Sequence, residues 1–221
     1  MAQQRSAIAT CLSYGPLPTS GPWNSWDRVP YITTLRNGTP SIVPADRRIH
    51  HNFVIANYNS EGAIDTDDGS AYYQTYDNFF ALGANGLKSD FGGHDNRHTR
   101  NIYAYVSVCF GAPMPFRYFQ GLNDAFFNNT CVAIGEGILP SVGVYSSDCN
   151  GKGGSLDQSW NVSRNRVMTQ SGDAKICNKP WAEWFGANYS GMDRGSTISK
   201  WPADAQLVRW AEALLNFTAS E

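Results

Sequence analysis

Three carboxylates fall within four residues in the stretch Ala63-Ile-Asp-Thr-Asp-Asp-Gly-Ser70: Asp65, Asp67 and Asp68. Like charges this close repel, so the cluster costs stability unless a cation, a shared proton or a network of turn hydrogen bonds offsets it. On an extended strand Asp65 and Asp67 point to one face and Thr66 and Asp68 to the other, and Gly69 predicts a bend over Asp67-Asp68-Gly69. Three readings fit the block. Paired carboxylates, one acid and one base, perform glycoside hydrolysis, about 6.5–9.5 Å apart in inverting enzymes. Carboxylates also hold calcium, although Gly69 occupies the fifth position counted from Asp65 and the spacing is not that of an EF-hand. Short acidic blocks also form turns, their side chains accepting from backbone amides in Asx fashion.

A second polar cluster follows: Lys88-Ser-Asp-Phe-Gly-Gly-His94-Asp-Asn-Arg97-His98. If one structural repeat separates the two clusters, they lie side by side on one face. Lys88 or His94 then serves as acid or base, and Arg97 clamps a uronate carboxylate. Tyr73 and His98 join Arg97 as substrate-binding candidates, since a tyrosine in a groove stacks on sugar rings while its hydroxyl stays polar. A β-elimination lyase would use the same parts with calcium; otherwise no cofactor is expected. His94 and His98 would share a face only on a helix, and Gly92-Gly93 argues against one, so no metal site is read there. His50-His51, ahead of a strand, reads as a surface pair, with metal binding as the lesser alternative. No Walker loop, G-x-G-x-x-G or G-x-S-x-G occurs, which sets aside nucleotide binding and α/β-hydrolase chemistry.

The elements that must position these residues show a loose repeat. Asn followed by a short strand-forming run recurs at Asn52, Asn78, Asn101, Asn129 and Asn165, in steps of 26, 23, 28 and 36 residues. A period in the twenties with strand-type content is a solenoid signature, and one coil of a parallel β-helix uses about that length. Asn at equivalent turns can stack into a hydrogen-bonded ladder. Coils about 4.8 Å apart also suit disulfides between neighbouring rungs, Cys109 with Cys131 or Cys149 with Cys177. Asn37-Gly38, Asn85-Gly86 and Asn150-Gly151 are hairpin-type turns and keep an antiparallel sandwich as the competing fold. The chain divides into an irregular arm or remnant of earlier coils over 1–45, strands over 46–200 and a helix within 201–221. That helix spans Pro202–Phe217, with Pro202 at its first position and an apolar stripe of Leu207, Val208, Ala211, Leu214 and Leu215.

The 221 residues carry 17 Lys+Arg against 19 Asp+Glu, a net charge of -2, which argues against electrostatic nucleic-acid binding. No run approaches the roughly 18 apolar residues of a membrane span. Hydrophobic residues make up 42% and charged ones only 16%, beside 21 Gly and 18 Asn, the composition of a turn-rich β fold with a sizeable core. Five cysteines with neither CxxC nor finger spacing suit disulfides rather than zinc, leaving Cys11 odd. Sequons at Asn37, Asn128, Asn161, Asn188 and Asn216 add to an extracellular reading. The first residues hold no apolar leader, so the expectation is either a removed leader or a fragment of a longer precursor.

The run from His51 to Val106, above all its Asp-Thr-Asp-Asp-Gly-Ser block followed by Gly-Gly-His-Asp, resembles right-handed parallel β-helix proteins of the pectin-lyase-like superfamily. The resemblance implies an all-β fold, a right-handed parallel β-helix, whose open end the C-terminal α-helix is expected to cap. It also implies an extracellular setting, a polysaccharide or glycan partner and a site on the solvent face of the stacked strands. Asp67-Asp68 with His94 26 residues beyond Asp68 is similar to the polygalacturonase-like members. Three positions depart from their pattern. Asp46 stands without a preceding Asn-Thr, Asp95 rather than Gly follows His94, and Arg164-Asn-Arg166 replaces an Arg-Ile-Lys triplet. The resulting expectation is a secreted polysaccharide-active enzyme, a glycoside hydrolase or a polysaccharide lyase. Its alternative is a non-catalytic glycan-binding or structural β-helix module.

Overall fold

The computed structural model describes residues 23–26, 46–56, 62–67, 70–83, 85–89, 94–111, 123–134, 145–146, 160–176, 179–181 and 194–215. Their strands fall into three parallel sheets. The first holds β1 (Trp23–Trp26), β4 (Ile64–Asp67), β7 (Asn85–Ser89), β10 (Val108–Gly111) and β13 (Tyr145–Ser146). The second holds β2 (Arg47–His50), β5 (Tyr73–Tyr76), β8 (Arg97–Thr99), β11 (Asp124–Phe127) and β14 (Trp160–Ser163). The third holds β3 (Phe53–Ile55), β6 (Phe79–Ala81), β9 (Ile102–Val106), β12 (Thr130–Ala133), β15 (Arg166–Thr169) and β18 (Thr197–Lys200). In every sheet each strand pairs with the third one on in the chain, an order consistent with a parallel β-helix, solenoid-like fold. The antiparallel sandwich is not what forms. Among the described residues the one antiparallel pair is β16 (Lys175–Ile176) with β17 (Lys179–Pro180). Asn85-Gly86 begins strand β7 instead of closing a hairpin. Trp23–Trp26, in the stretch expected to be an irregular arm, adds a strand to the first sheet.

The recurrent asparagines form the expected ladder, and the ladder sets the period. Asn52 donates to Oδ1 of Asn78 through its backbone N–H (3.1 Å) and its Nδ2 (2.9 Å). Asn78 does the same to Asn101, at 3.1 and 2.8 Å. Asn101 bonds Asn129 at 2.9 and 3.4 Å, and Asn129 bonds Asn165 at the same two distances. The backbone N–H of Asn165 ends the series on Ser196 Oγ at 2.6 Å. Each rung follows a residue with positive φ: His51, Asp77, Arg100, Asn128 and Arg164, at 54–56°, and then Gly195 at 75°. A left-handed conformation costs a non-glycine residue about 1–2 kcal/mol, so a column of five is held by the buried amides beside it. Gly195-Ser196 thereby marks a further coil that an asparagine pattern does not reveal.

Alternation along the strands gives one interior. Val54, Phe80, Tyr103, Cys131 and Val167 point in from the third sheet, Ile64, Leu87 and Phe110 from the first, and Phe126 and Val162 from the second. Phe80 stacks on Tyr103 with ring centroids 5.2 Å apart, and Phe110 on Phe126 at 5.0 Å. The disulfide Cys109–Cys131, with Cα atoms 5.9 Å apart, pairs the cysteines as one expectation had it. It crosses the interior from β10 to β12, however, instead of linking stacked strands of one sheet. Cys11, Cys149 and Cys177 lie outside the described residues.

The helix, α1 (Asp204–Leu215), begins two residues later than the expected Pro202, and the expected end at Phe217 lies outside the described residues. It does not close an end of the strand stack. It lies on the outer face of the third sheet, where Leu207 and Leu215 pack with Phe79, Ile102, Ala104 and Val132. Those outward positions are apolar, and the helix removes them from water. Trp201 Nε1 donates to Ala133 O at 3.0 Å, and Tyr105 Oη donates to Asp204, tying the first helical turn to the sheet. A cleft of about 390 Å³ lined by Phe53, Phe79, Tyr105, Leu207 and Val208 remains between helix and sheet. No helix among the described residues is long and apolar enough to cross a membrane.

Candidate functional site

Asp65 and Asp67 share the face of β4 opposite Ile64, whose side chain is in the core. Register sets Lys88 of β7 directly beside Asp65. Lys88 Nζ lies 3.7 Å from Asp65 Oδ2 and 3.5 Å from Asp67 Oδ2, so one ammonium serves two carboxylates. The mutual repulsion of the acidic block is thus offset by a cation from the next coil. Exposure separates the two acids: the side chain of Asp65 is 1% accessible, that of Asp67 20% and that of Lys88 15%. Asp67 and Lys88 reach solvent, whereas Asp65 is enclosed beside Lys88. The C-terminal end of β4 is fixed by Ser70, whose Oγ lies 2.7 Å from Asp67 O and 2.8 Å from Ser25 Oγ. Asp68 lies outside the described residues.

The remaining candidates sit round the corner, in and beside the second sheet. His94 pairs with Ala71 across neighbouring coils, four residues past Asp67. Its Nδ1 is 2.9 Å from Asp95 Oδ2, and its ring meets Tyr72 edge-on with centroids 5.1 Å apart. Asn123 Nδ2 donates to the other oxygen of Asp95 at 3.3 Å, so the His–Asp pair is itself oriented from the following coil. Arg97 is exposed on β8, in a row with Gln74 and Arg48. Tyr73 on β5 lies under the Arg47 guanidinium, 5.2 Å from its ring centroid. His98 is interior: its Nδ1 is 2.8 Å from Thr75 Oγ1, and burial pushes the imidazole down to about 3. A neutral ring enclosed in this way is not presented to a ligand on the outer face.

Asp124 is a buried carboxyl that sequence reasoning passed over. It begins β11 one coil beyond Asn96, and its Oδ1 accepts the Asn96 backbone N–H at 2.8 Å. Asn96 Oδ1 in turn accepts from the Tyr73 N–H at 3.0 Å, a second, shorter ladder at the entrance to the second sheet. Asp124 Oδ2 is buried without a hydrogen-bond partner among the described residues, and burial raises the carboxyl to about 8. The signal was present: Asn96 to Asp124 spans 28 residues, the same step as Asn101 to Asn129.

Chemically, the first cluster offers one accessible carboxylate, one accessible ammonium and a sealed carboxylate holding that ammonium in place. The His94–Asp95 pair adds an oriented imidazole at the adjacent corner. No group of three or more His, Cys, Asp or Glu residues able to hold a metal occurs among the described residues. No protein-family model, curated protein or solved structure matches the chain.

Proposed function

We propose that this chain is an extracellular polysaccharide-active enzyme, a glycoside hydrolase or polysaccharide lyase, built on a right-handed parallel β-helix of the pectin-lyase-like type. The observation that carries the reading is the Asp65–Lys88–Asp67 cluster, two carboxylates from one strand meeting one ammonium from the next. Contact with a common ammonium holds the carboxyl groups closer together than the widest inverting pairs, about 9.5 Å. Asp67 is the group that meets substrate, as proton donor or base, and Lys88 stabilises the developing negative charge. His94, oriented by Asp95, supplies a second acid/base group, and exposed Arg97 suits an anionic sugar. Calcium is required only if the reaction is β-elimination. The disulfide and the exposed sequon residues Asn128 and Asn161 support an oxidising, extracellular compartment.

The burial of Asp65 favours a second reading, a glycan-binding or structural module in which the cluster only holds two strands together. Asp67→Asn decides between them. An enzyme loses about 10²-fold or more in turnover with its stability unchanged. A module has no turnover to lose, and full activity in the variant would remove Asp67 from the chemistry.

A further inference from the structure

We propose that His50 and His51 form a binding site for a divalent metal ion with tetragonal preference, copper(II) above all. Their two Nδ1 atoms converge to 2.8 Å. Two nitrogens bonded at about 2.0 Å in cis positions of a tetragonal site are about 2.8 Å apart. The donors therefore already stand at the spacing a copper(II) chelate requires. Imidazole suits copper, and copper(II) heads the affinity order of the divalent first-row metals.

Both rings are fixed from behind. His50 ends β2, and its ring lies parallel to that of Tyr76 on the next strand, with centroids 4.7 Å apart and planes 7° from parallel. His51 has φ of 55° and donates its backbone N–H to Asp77 O at 2.9 Å. It directly precedes Asn52, the first rung of the ladder, so its backbone is as constrained as the buried amides beside it. The two imidazole planes stand 86° apart. Donors held in place before the metal arrives lose little freedom on binding.

The surroundings leave the pair available. Both residues are only partly buried, so the metal's other positions open to water or to an incoming ligand. The nearby Asp77 carboxylate is engaged by Arg100, whose Nε and Nη2 donate to its two oxygens at 2.8 and 2.7 Å. In the free protein the Nδ1···Nδ1 contact needs one Nδ1–H. On metal binding that ring passes to its Nε2–H tautomer, so both Nδ1 lone pairs serve the metal with no net proton released and no change of oxidation state.

The chain has four histidines, which makes the assignment testable. His94 has its Nδ1 on Asp95, and His98 is enclosed. The experiment is titration of the full chain with copper(II) at neutral pH, followed by calorimetry and electron paramagnetic resonance. The expected result is one equivalent bound, with a signal showing imidazole nitrogen coordination. His50→Gln and His51→Asn should each weaken binding roughly tenfold or more, since each leaves a single donor where a linked pair stood. His94→Gln should leave it unchanged. Asn tolerates positive φ, so His51→Asn keeps the turn, and circular dichroism checks that each variant is folded. Equal copper binding by the folded His50/His51 double variant would overturn the proposal. So would loss of the site on His94→Gln, or a copper signal without nitrogen ligands.

Discussion

At the scale of single residues, Lys88 is the most exacting side chain in the candidate site. Breaking a buried ion pair from one side leaves the other charge uncompensated, at a cost of about 3 kcal/mol or more. Lys88→Met should therefore lower unfolding stability by about 3 kcal/mol in urea titrations, because Asp65 is sealed beside it. A loss below about 0.5 kcal/mol would mean the ion pair holds nothing. Asp124 carries the opposite sign. Its folded-state value, about 8, lies above its ordinary 3.8, so its stabilising contribution is complete below about 3.8 and is lost as pH rises through about 8. Asp124→Asn keeps the Oδ1 acceptor for Asn96 and removes the titration. The variant should melt about 4 °C or more above the parent at pH 8, with the gap closing towards pH 4. A gap independent of pH would remove Asp124 from the titration. The placement of Lys88 beside the aspartates was legible from spacing, because Lys88 follows Asp65 by 23 residues, one coil; that it would pair with them as an ion was not. Asp124 was not, because an aspartate reads as surface unless the ladder it continues has first been recognised.

At the scale of elements, the asparagine ladder and the helix show which local rules survive folding. Asn101 accepts from Asn78, donates to Asn129 and bonds the Thr75 carbonyl at 3.1 Å. Truncation strands several buried polar groups at once, each costing about 1–3 kcal/mol. Asn101→Ala should thus cost about 3 kcal/mol or more by chemical denaturation, whereas Asn128→Gly, exposed, one residue before a rung and compatible with its positive φ, should cost under about 1 kcal/mol. Equal effects would deny the ladder its structural role. The ladder was readable because it needs one residue type at one turn, so chemistry and period coincide. The helix was readable from its stripe, but its seat was not. Whether a stripe covers an open end or a sheet face depends on outward positions such as Phe79 and Ile102, whose direction is fixed only once register is known. The disulfide followed the same course: the pairing came from spacing, and its path across the interior from side-chain directions.

For the whole molecule, the pairing of every strand with the third one on turns distant segments into neighbours. It places β4 beside β7 and so gathers Asp65, Asp67 and Lys88 on one face of the first sheet. Round the corner it gathers His94, Asp95 and Asn123. The sequence clusters were expected to lie on a single face; they lie on two, joined through Ser70 and Ala71. Such a corner sets an acid, a cation and an oriented imidazole on two adjoining faces of the coils. The most direct test measures reducing-end release together with the ultraviolet absorbance of unsaturated sugar ends. The panel holds acidic and neutral polysaccharides, each with calcium and with chelator. Release of sugar ends that is lost in Asp67→Asn is the predicted result, with absorbance marking a lyase and its absence a hydrolase. Silence across the panel from folded protein would contradict the enzymatic account and leave the cluster as an ion pair between two strands.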